Sequence, residues 1–154
     1  MAIKVSKVSD GQLAVVVPDC AGEVTRNYFE FDIAGVTFAD GDIIDIGILS
    51  ANETVSDAIL LSTDIDTNVS PAVVVDVGIM SGTPGSTDAA RTCGAELFSG
   101  SVAAKTGVSE RMSALGGFKI APVGYDRSIG VKLTTAPATK AATDKVVHAV
   151  NISM

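Results

Sequence analysis

The residues of this chain that could do chemistry are a few acidic pairs, one histidine and two cysteines. The segment DIDTN at residues 64–68 has the D-x-D-x-N spacing with which calcium loops begin. Such loops also need a glycine at the sixth position and a bidentate acid at the twelfth, where this chain has Val69 and Val75. The segment is therefore interpreted as a solvated acidic loop between two strands, and no metal site is predicted.

The remaining polar residues do not form a recognisable catalytic set. His148 is the only histidine, and it lies on the apolar face of an alternating segment, as a core or interface histidine does. The pairs Asp64 and Asp66, and Asp40 and Asp42, could each share a strand face. A glycosidase cleft needs two carboxylates and usually also aromatic platforms, but the chain has no Trp and two Tyr. We therefore predict no catalytic residue, no cofactor and no enzyme activity.

The two cysteines, Cys20 and Cys93, are far apart in the sequence, and no CxxC or Cys/His cluster surrounds either. In a reducing compartment this arrangement favours two buried apolar thiols over a disulfide.

Charge and composition exclude several partners. The chain has 11 basic and 18 acidic residues and a net charge of −7, whereas a nucleic-acid-binding surface needs a cluster of Lys and Arg. The same charge disfavours binding to anionic membranes, and no run of 18 apolar residues or signal sequence occurs. Hydrophobic residues make up 47% of the 154 residues, which predicts one folded domain with a core of small aliphatic side chains.

The pattern along the chain predicts an all-β fold, an antiparallel β-sandwich. Alternating or β-branched runs separated by turn signals such as Asp40-Gly41 favour short strands. The predicted strands are 12–17, 27–33, 43–49, 54–62, 72–79, 118–121, 128–134 and 145–152.

One segment, residues 81–117, breaks this rhythm and is predicted to be a loop and short-helix insertion. Ser86, Thr87 and Asp88 could cap a helix over residues 89–98, and residues 108–115 could add a helical turn. Long insertions between strands often form functional loops.

The order of several segments resembles small bacteriophage head decoration (cement) proteins with a jelly-roll-like β-sandwich. The resemblance covers roughly residues 27–154 and is one of layout. It rests on the segments DIIDIGILSANETVSDAILL (42–61), STDIDT (62–67), VVVDVGI (73–79), AELFSG (95–100) and DRSIGVKLTT (126–135). This family implies a homotrimer made in the host cytoplasm that sits on the outer capsid surface and binds the major capsid protein, without nucleic acid or membrane as a partner.

Residues 1–26 lie before this resemblance and are predicted to be an N-terminal arm or first strand that contacts neighbours, with the sandwich domain at 27–154. We expect contacts in the apolar N-terminus and in the insertion. The candidate contact residues are Ile3, Val5, Val8, Arg91, Phe98, Lys105, Arg111 and Met112. Two alternatives stay open. One is another virion component (a head fibre, tail or baseplate part), and the other is a carbohydrate- or receptor-binding module with exposed aromatics at Tyr28 or Tyr125.

Overall fold

The structure is a computed structural model that describes residues 1–15 and 24–141 and the backbone of residues 146–153. The described part contains ten strands and two short helices. In chain order they are β1 (Ile3–Val5), β2 (Arg26–Tyr28), β3 (Phe31–Asp32), β4 (Ile43–Leu49), β5 (Asp57–Ser62), β6 (Val74–Ile79), β7 (Phe98–Ser101), α1 (Ala103–Thr106), β8 (Ser109–Arg111), α2 (Leu115–Phe118), β9 (Arg127–Thr135) and β10 (Val146–Ser153).

The strands form two sheets that pack as a sandwich. Sheet A has the order β1-β4-β9-β6-β7, and sheet B has the order β2-β10-β5-β8, with β3 also paired to β10. Each described pairing is antiparallel except that of β1 with β4, which is parallel. The predicted all-β sandwich is confirmed, and its jelly-roll character stays a prediction.

The core lies between the two sheets and is built from alternating side chains. In β5, Ala58 and Leu60 point inward and are fully buried, while Ile59 and Leu61, which alternate with them, are partly exposed. This is the period of two that places alternate residues on opposite faces of a sheet. β4 is buried along nearly its whole length. Its side chains face the core on one side and a covered outer surface on the other.

That outer surface of sheet A is covered by residues 80–97, which we call the covering segment. Met80, the first residue of this segment, forms a second, smaller apolar cluster with Ile3 and Ile43 of the sheet. Two glycines opposite each other in the sheet, Gly78 and Gly130, make room for it. A Cβ atom on Gly78 would lie 2.5 Å from the carbonyl carbon of Gly94, so only glycine allows so close an approach.

The N-terminal residues are fastened to the sandwich. The Asp42 carboxylate accepts hydrogen bonds from the backbone N–H groups of Ala2 (2.6 Å) and Ala39 (3.0 Å) and from the Lys4 ammonium (3.1 Å). Burial raises the pKa of Asp42, but these donors outweigh it and hold the pKa below its usual value. Residues 3–5 are thus a strand of sheet A in this chain, and the predicted domain boundary at residue 26 stays a prediction.

The strand predictions hold for β4, β5, β6, β9 and β10. The bounds of β4 match the prediction, and β5, β6, β9 and β10 agree to within a few residues. The predicted strand at 118–121 is wrong, because α2 ends there and a loop follows. The described part of the predicted strand at 12–17, residues 12–15, contains no strand.

The insertion does contain two short helices, α1 and α2, but the helical positions that we predicted are wrong. No helix occurs over 89–98, and residues 109–111 form strand β8. The Ser86 and Asp88 side chains instead accept hydrogen bonds within local turns, from the N–H groups of Asp88 and Ala90. Such turns compete with helix capping for the same polar side chains.

Candidate interaction surfaces

One side of the sandwich carries a groove, which we call the open-side groove. It lies between β1 with its following turn, at the edge of sheet A, and the β2–β3 region, at the edge of sheet B. Its volume is about 450 Å³. The described residues that line it are Val5, Ser6, Lys7, Val8, Leu13, Tyr28, Glu30, Phe31 and Asp32.

Local hydrogen bonds shape the floor of this groove. The Ser6 hydroxyl donates to the carbonyl of Ile46 (2.6 Å) and accepts from the N–H of Ser9 (3.2 Å), which turns the chain after β1. The N–H of Leu13 donates to the carbonyl of Lys7 (3.0 Å), so the chain folds back on itself. Leu13 and Tyr28 are left 55% and 53% exposed.

A second apolar surface lies on the opposite side of the sandwich. Leu115 and Phe118 are 65% and 54% exposed, and they stand three residues apart on the single turn of α2, so they share a face. We call them the α2 knob. The buried side of the turn is Gly117, whose Cβ, if added, would touch Met112 and lie 3.2 Å from the carbonyl oxygen of Glu96. The absence of a side chain there lets the turn lie close to the segment before β7.

The two sides of the sandwich differ in whether the edges of the two sheets are joined. On the side of the α2 knob, the Ser101 hydroxyl of β7 donates to the Glu110 carboxylate of β8, which ties the edges of the two sheets together. Helix α1 packs nearby against β5 and β6. At the opposite edge the open-side groove separates β1 from β2 and β3.

Arg91 holds the covering segment onto sheet A. Its guanidinium donates to the Asp45 carboxylate (2.7 Å), the Ser128 hydroxyl (2.8 Å) and the carbonyl of Ser81 (2.8 Å). Arg91 is 3% exposed and Asp45 is fully buried. Ser128 in turn donates to Asp45 (2.9 Å). These bonds fix the covering segment on the sheet, because moving Arg91 away would leave the buried Asp45 carboxylate without its compensating charge.

The eight predicted contact residues fall into two groups. Ile3, Val8, Arg91, Phe98 and Met112 are buried inside the subunit, where they help to build its fold. Val5 and Lys105 are half-buried, and Arg111 is exposed and paired with Asp57 (2.9 Å). Val5 and Val8 line the open-side groove, whereas Lys105 and Arg111 lie on the opposite side. An interface role for the eight stays a prediction.

The acidic loop at 64–68 joins two other segments of the chain through hydrogen bonds. The buried Asp66 carboxylate accepts hydrogen bonds from the backbone N–H groups of Asn68 (3.3 Å), Ala72 (2.8 Å), Ala138 (3.1 Å) and Thr139 (2.9 Å). Burial raises the pKa of Asp66, but these four donors outweigh it and lower the pKa to about 2. The carboxylate therefore ties the β5–β6 loop to the segment after β9, which accounts for it without a calcium ion.

The remaining candidates are a metal-ligand cluster, a membrane-spanning helix, the two cysteines and the histidine. No cluster of three metal-ligating side chains occurs among the described residues, and none of the helices described could span a membrane. Cys93 is partly buried, and desolvation raises the pKa of its thiol to about 12. Cys20 lies outside the described residues. His148 pairs with Leu61 in the sheet, as expected of a strand residue.

The solved structures give the fold a context. A chain in the capsid of Ralstonia phage GP4 is 39% identical, with a TM-score of 0.91, and the match covers 99% of this chain and 97% of that one. The chain belongs to a family of phage capsid proteins. It is a structural component of the virion and not an enzyme.

A more distant likeness shows the fold alone. A chain of the Cyanophage Pam1 capsid asymmetric unit is 20% identical, with a TM-score of 0.61, over 94% of this chain and 95% of that one. No family model and no curated protein matches the chain. The match to the Ralstonia phage GP4 chain covers 99% of this chain, so it takes in nearly all of the N-terminal residues, which lay outside the resemblance seen in the sequence.

The sequence did not reveal the α2 knob. The contact region predicted in the insertion ended at Met112, and residues 118–121 were assigned to a strand. A signal was present in Leu115-Gly116-Gly117-Phe118, where two large apolar residues flank two glycines. Because glycine has no side chain, the two glycines cannot cover the large apolar residues beside them.

Proposed function

We propose that this protein decorates the outer surface of a phage capsid and stabilises the shell, as a homotrimer bound to the major capsid protein. The supporting observation is the 39% identity over nearly the whole length to a chain in the capsid of Ralstonia phage GP4. The layout that resembles head decoration proteins points to the same role.

The physical features of the subunit fit this role. A shell-stabilising protein needs a rigid body with surfaces for several neighbours. The sandwich supplies the body, and the open-side groove and the α2 knob supply two separate surfaces. Weak contacts repeated over many copies add up through multivalency, so each one needs only modest affinity.

We also propose that both predicted contact regions contribute, in different ways. In the N-terminal region Val5 and Val8 line the groove, and Ile3 of β1 packs in the smaller apolar cluster with Ile43 and Met80. In the insertion Lys105 and Arg111 reach the solvent and could contact a neighbour. The buried residues Arg91, Phe98 and Met112 would contribute indirectly, by fixing the fold beneath that surface.

Binding to empty shells tests the role. Purified protein would be mixed with undecorated shells of the phage that encodes it, and bound protein measured after sedimentation, together with the temperature at which shells rupture. We expect saturable binding and a higher rupture temperature. Binding only to isolated tails or fibres would favour another virion part, and no binding to shells would contradict the proposal.

Binding to a surface glycan is the second candidate, because both tyrosines are accessible. Tyr28 lies in the open-side groove, and Tyr125, which is 65% exposed, borders a shallow pocket with Gly82, Thr83, Pro84 and Asp126. Exposed aromatic rings beside polar groups are typical of sugar sites. A glycan array with wild type and Tyr125→Ala tests it. Binding that is lost in the variant would support this role, and an array without hits would remove it.

A further inference from the structure

We infer that residues 82–91 form a flap, a loop that docks on the outer face of sheet A through one buried ion pair and can lift as a unit while the sandwich stays folded. The flap is independent of the proposed decoration role. Three observations support it: what the loop buries, how its ends are joined, and how few bonds hold it on the sheet.

The flap is held by polar groups instead of apolar packing. Among residues 81–96, all of which the structure describes, Arg91 has the only buried side chain. The buried apolar residues Met80 and Leu97 stand just outside this range. Burial of apolar surface is the main force that holds a segment in a fold. A segment without it can open at a lower free energy than the domain around it.

The two ends of the flap are joined at its base. The N–H of Ser81 donates to the carbonyl of Thr92 (3.0 Å), and the N–H of Thr92 donates to the Ser81 hydroxyl (2.8 Å). Beside them, the N–H of Gly94 donates to the carbonyl of Ile79 at the end of β6 (3.0 Å). A loop of this length whose ends lie together is a compact surface unit. It can therefore move on its base without disturbing the strands on either side.

In the described part of the chain, three hydrogen bonds link the flap to strands β4 and β9 beneath it. The Asp45 carboxylate accepts from the Arg91 guanidinium (2.7 Å) and from the N–H of Gly85 (3.1 Å). The Ser128 hydroxyl accepts from Arg91 (2.8 Å). Both bonds to Asp45 end on Oδ2, whereas Oδ1 is buried without a hydrogen-bond partner among the described residues. Because an unpaired buried oxygen costs free energy, the docked state is only partly satisfied.

Lifting the flap would return Arg91 and Asp45 to water. The cost of taking both charges out of water offsets much of their attraction in the docked state. Gly82, the first residue of the flap, has a left-handed φ of 77° and no side chain to restrict it, which suits a hinge. Arg91 would reach the surface in the lifted state alone. A neighbour that binds this state would shift the balance by its preference for it.

Native-state hydrogen exchange, followed amide by amide by NMR, tests the flap. The N–H of Gly85, bonded to Asp45, reports lifting, and the N–H of Leu133 in β9, which donates to the carbonyl of Asp42 (2.8 Å), reports unfolding of the sandwich. We expect Gly85 to be protected but to exchange at least about tenfold faster than Leu133 after correction for intrinsic rates. Low urea should accelerate Leu133 much more than Gly85, because lifting exposes little surface.

Two variants separate lifting from unfolding. Ser128→Ala removes a hydroxyl that bonds both members of the ion pair, so we expect the exchange of Gly85 to become about tenfold faster. Ile33→Val is the control, because it shortens a buried core side chain outside the covering segment. It should accelerate Leu133 by about two- to tenfold and leave Gly85 unchanged.

Three results would overturn the flap. Equal protection and equal urea dependence of the Gly85 and Leu133 amides would show that the loop opens only with the whole domain. An equal acceleration of both amides in Ile33→Val would show the same. Exchange of Gly85 at its unprotected rate in the wild-type protein would show that the loop is not docked.

Discussion

Two apolar surfaces of this subunit differ in whether the chain itself covers them. The outer face of sheet A, around Ile43, is covered by the chain's own residues 80–97 and secured by the buried pair of Arg91 and Asp45. The open-side groove also has apolar walls, but Leu13 and Tyr28 there remain more than half exposed.

The contrast separates residues that build the subunit from residues that can bind a neighbour. Apolar surface that the chain covers itself contributes to folding, so its loss should lower stability. Apolar surface left exposed contributes little to folding, so its loss should change assembly and leave stability almost unchanged. Ile3, Val8 and Arg91, which were predicted as contacts, are buried and belong to the first kind, whereas the exposed Leu13 of the groove belongs to the second.

The largest expected effect is on the covered face. Arg91→Ala would leave the buried Asp45 charge without its cation, so we expect the free energy of unfolding to fall by about 3–5 kcal/mol in urea titrations. Arg91→Met combined with Asp45→Leu removes both charges and should recover much of the loss. A single substitution that costs under about 1 kcal/mol would show that the pair does not secure the covering segment.

Asp66→Asn comes next. An amide keeps one acceptor oxygen but turns its NH₂ group toward backbone donors, so some of the four hydrogen bonds that the Asp66 carboxylate accepts from backbone N–H groups are lost. We expect the free energy of unfolding at neutral pH to fall by about 1.5–3 kcal/mol, as for hydrogen bonds to charged groups. Asp88→Asn, an exposed aspartate that accepts one local hydrogen bond, is the control and should change little.

The same carboxylate predicts acid sensitivity. The pKa of Asp66 is about 2 in the folded protein, against 3.8 as its ordinary value. Because the folded pKa is the lower one, the stabilisation is complete above about pH 4 and is lost as the pH falls toward about 2. Urea unfolding between about pH 6 and about pH 2 should show this decline, shared with Asp42. A profile equally steep in Asp66→Asn would contradict the assignment to Asp66.

Gly78→Ala should have an intermediate effect on the covered face. Its Cβ would meet the backbone of Gly94, which cannot move without lifting the covering segment. Overpacking of this kind costs about 1–3 kcal/mol, measurable as a lower thermal midpoint. At Gly124 nothing lies within 4 Å of an added Cβ, so Gly124→Ala should leave the midpoint unchanged.

The smallest effect on stability is expected at the groove. Leu13→Ser replaces an exposed side chain, so the free energy of unfolding of the isolated subunit should change by less than about 0.5 kcal/mol. The assembly mass by light scattering should nevertheless fall. A large loss of stability with an unchanged assembly mass would contradict this prediction, because it would show that Leu13 stabilises the subunit and does not bind a neighbour.

Local patterns gave the main strands of the sandwich. Strand β4 was predicted with its bounds because the Asp40-Gly41 turn precedes it, and Gly41 does adopt the left-handed φ of 83°. Strand β9 was found from the alternation of Ile129, Val131 and Leu133, which are all buried.

Long-range contacts decided what the sequence could not show. The parallel pairing of β1 with β4 joins residues about forty positions apart and depends on Asp42 accepting from Ala2. Arg91 was predicted at a contact surface because it lies in the long insertion between strands, and such insertions often form functional loops. Its partner Asp45 is 46 residues away, and no local sequence pattern predicts that the two residues form a buried ion pair.

The most direct test of the decoration role is a cryo-electron microscopy difference map between undecorated shells and shells saturated with this protein. We predict added density on the outer surface, with three copies in mutual contact and bridging neighbouring shell subunits. Density inside the shell, at the tail vertex alone, or as isolated single copies would contradict the account.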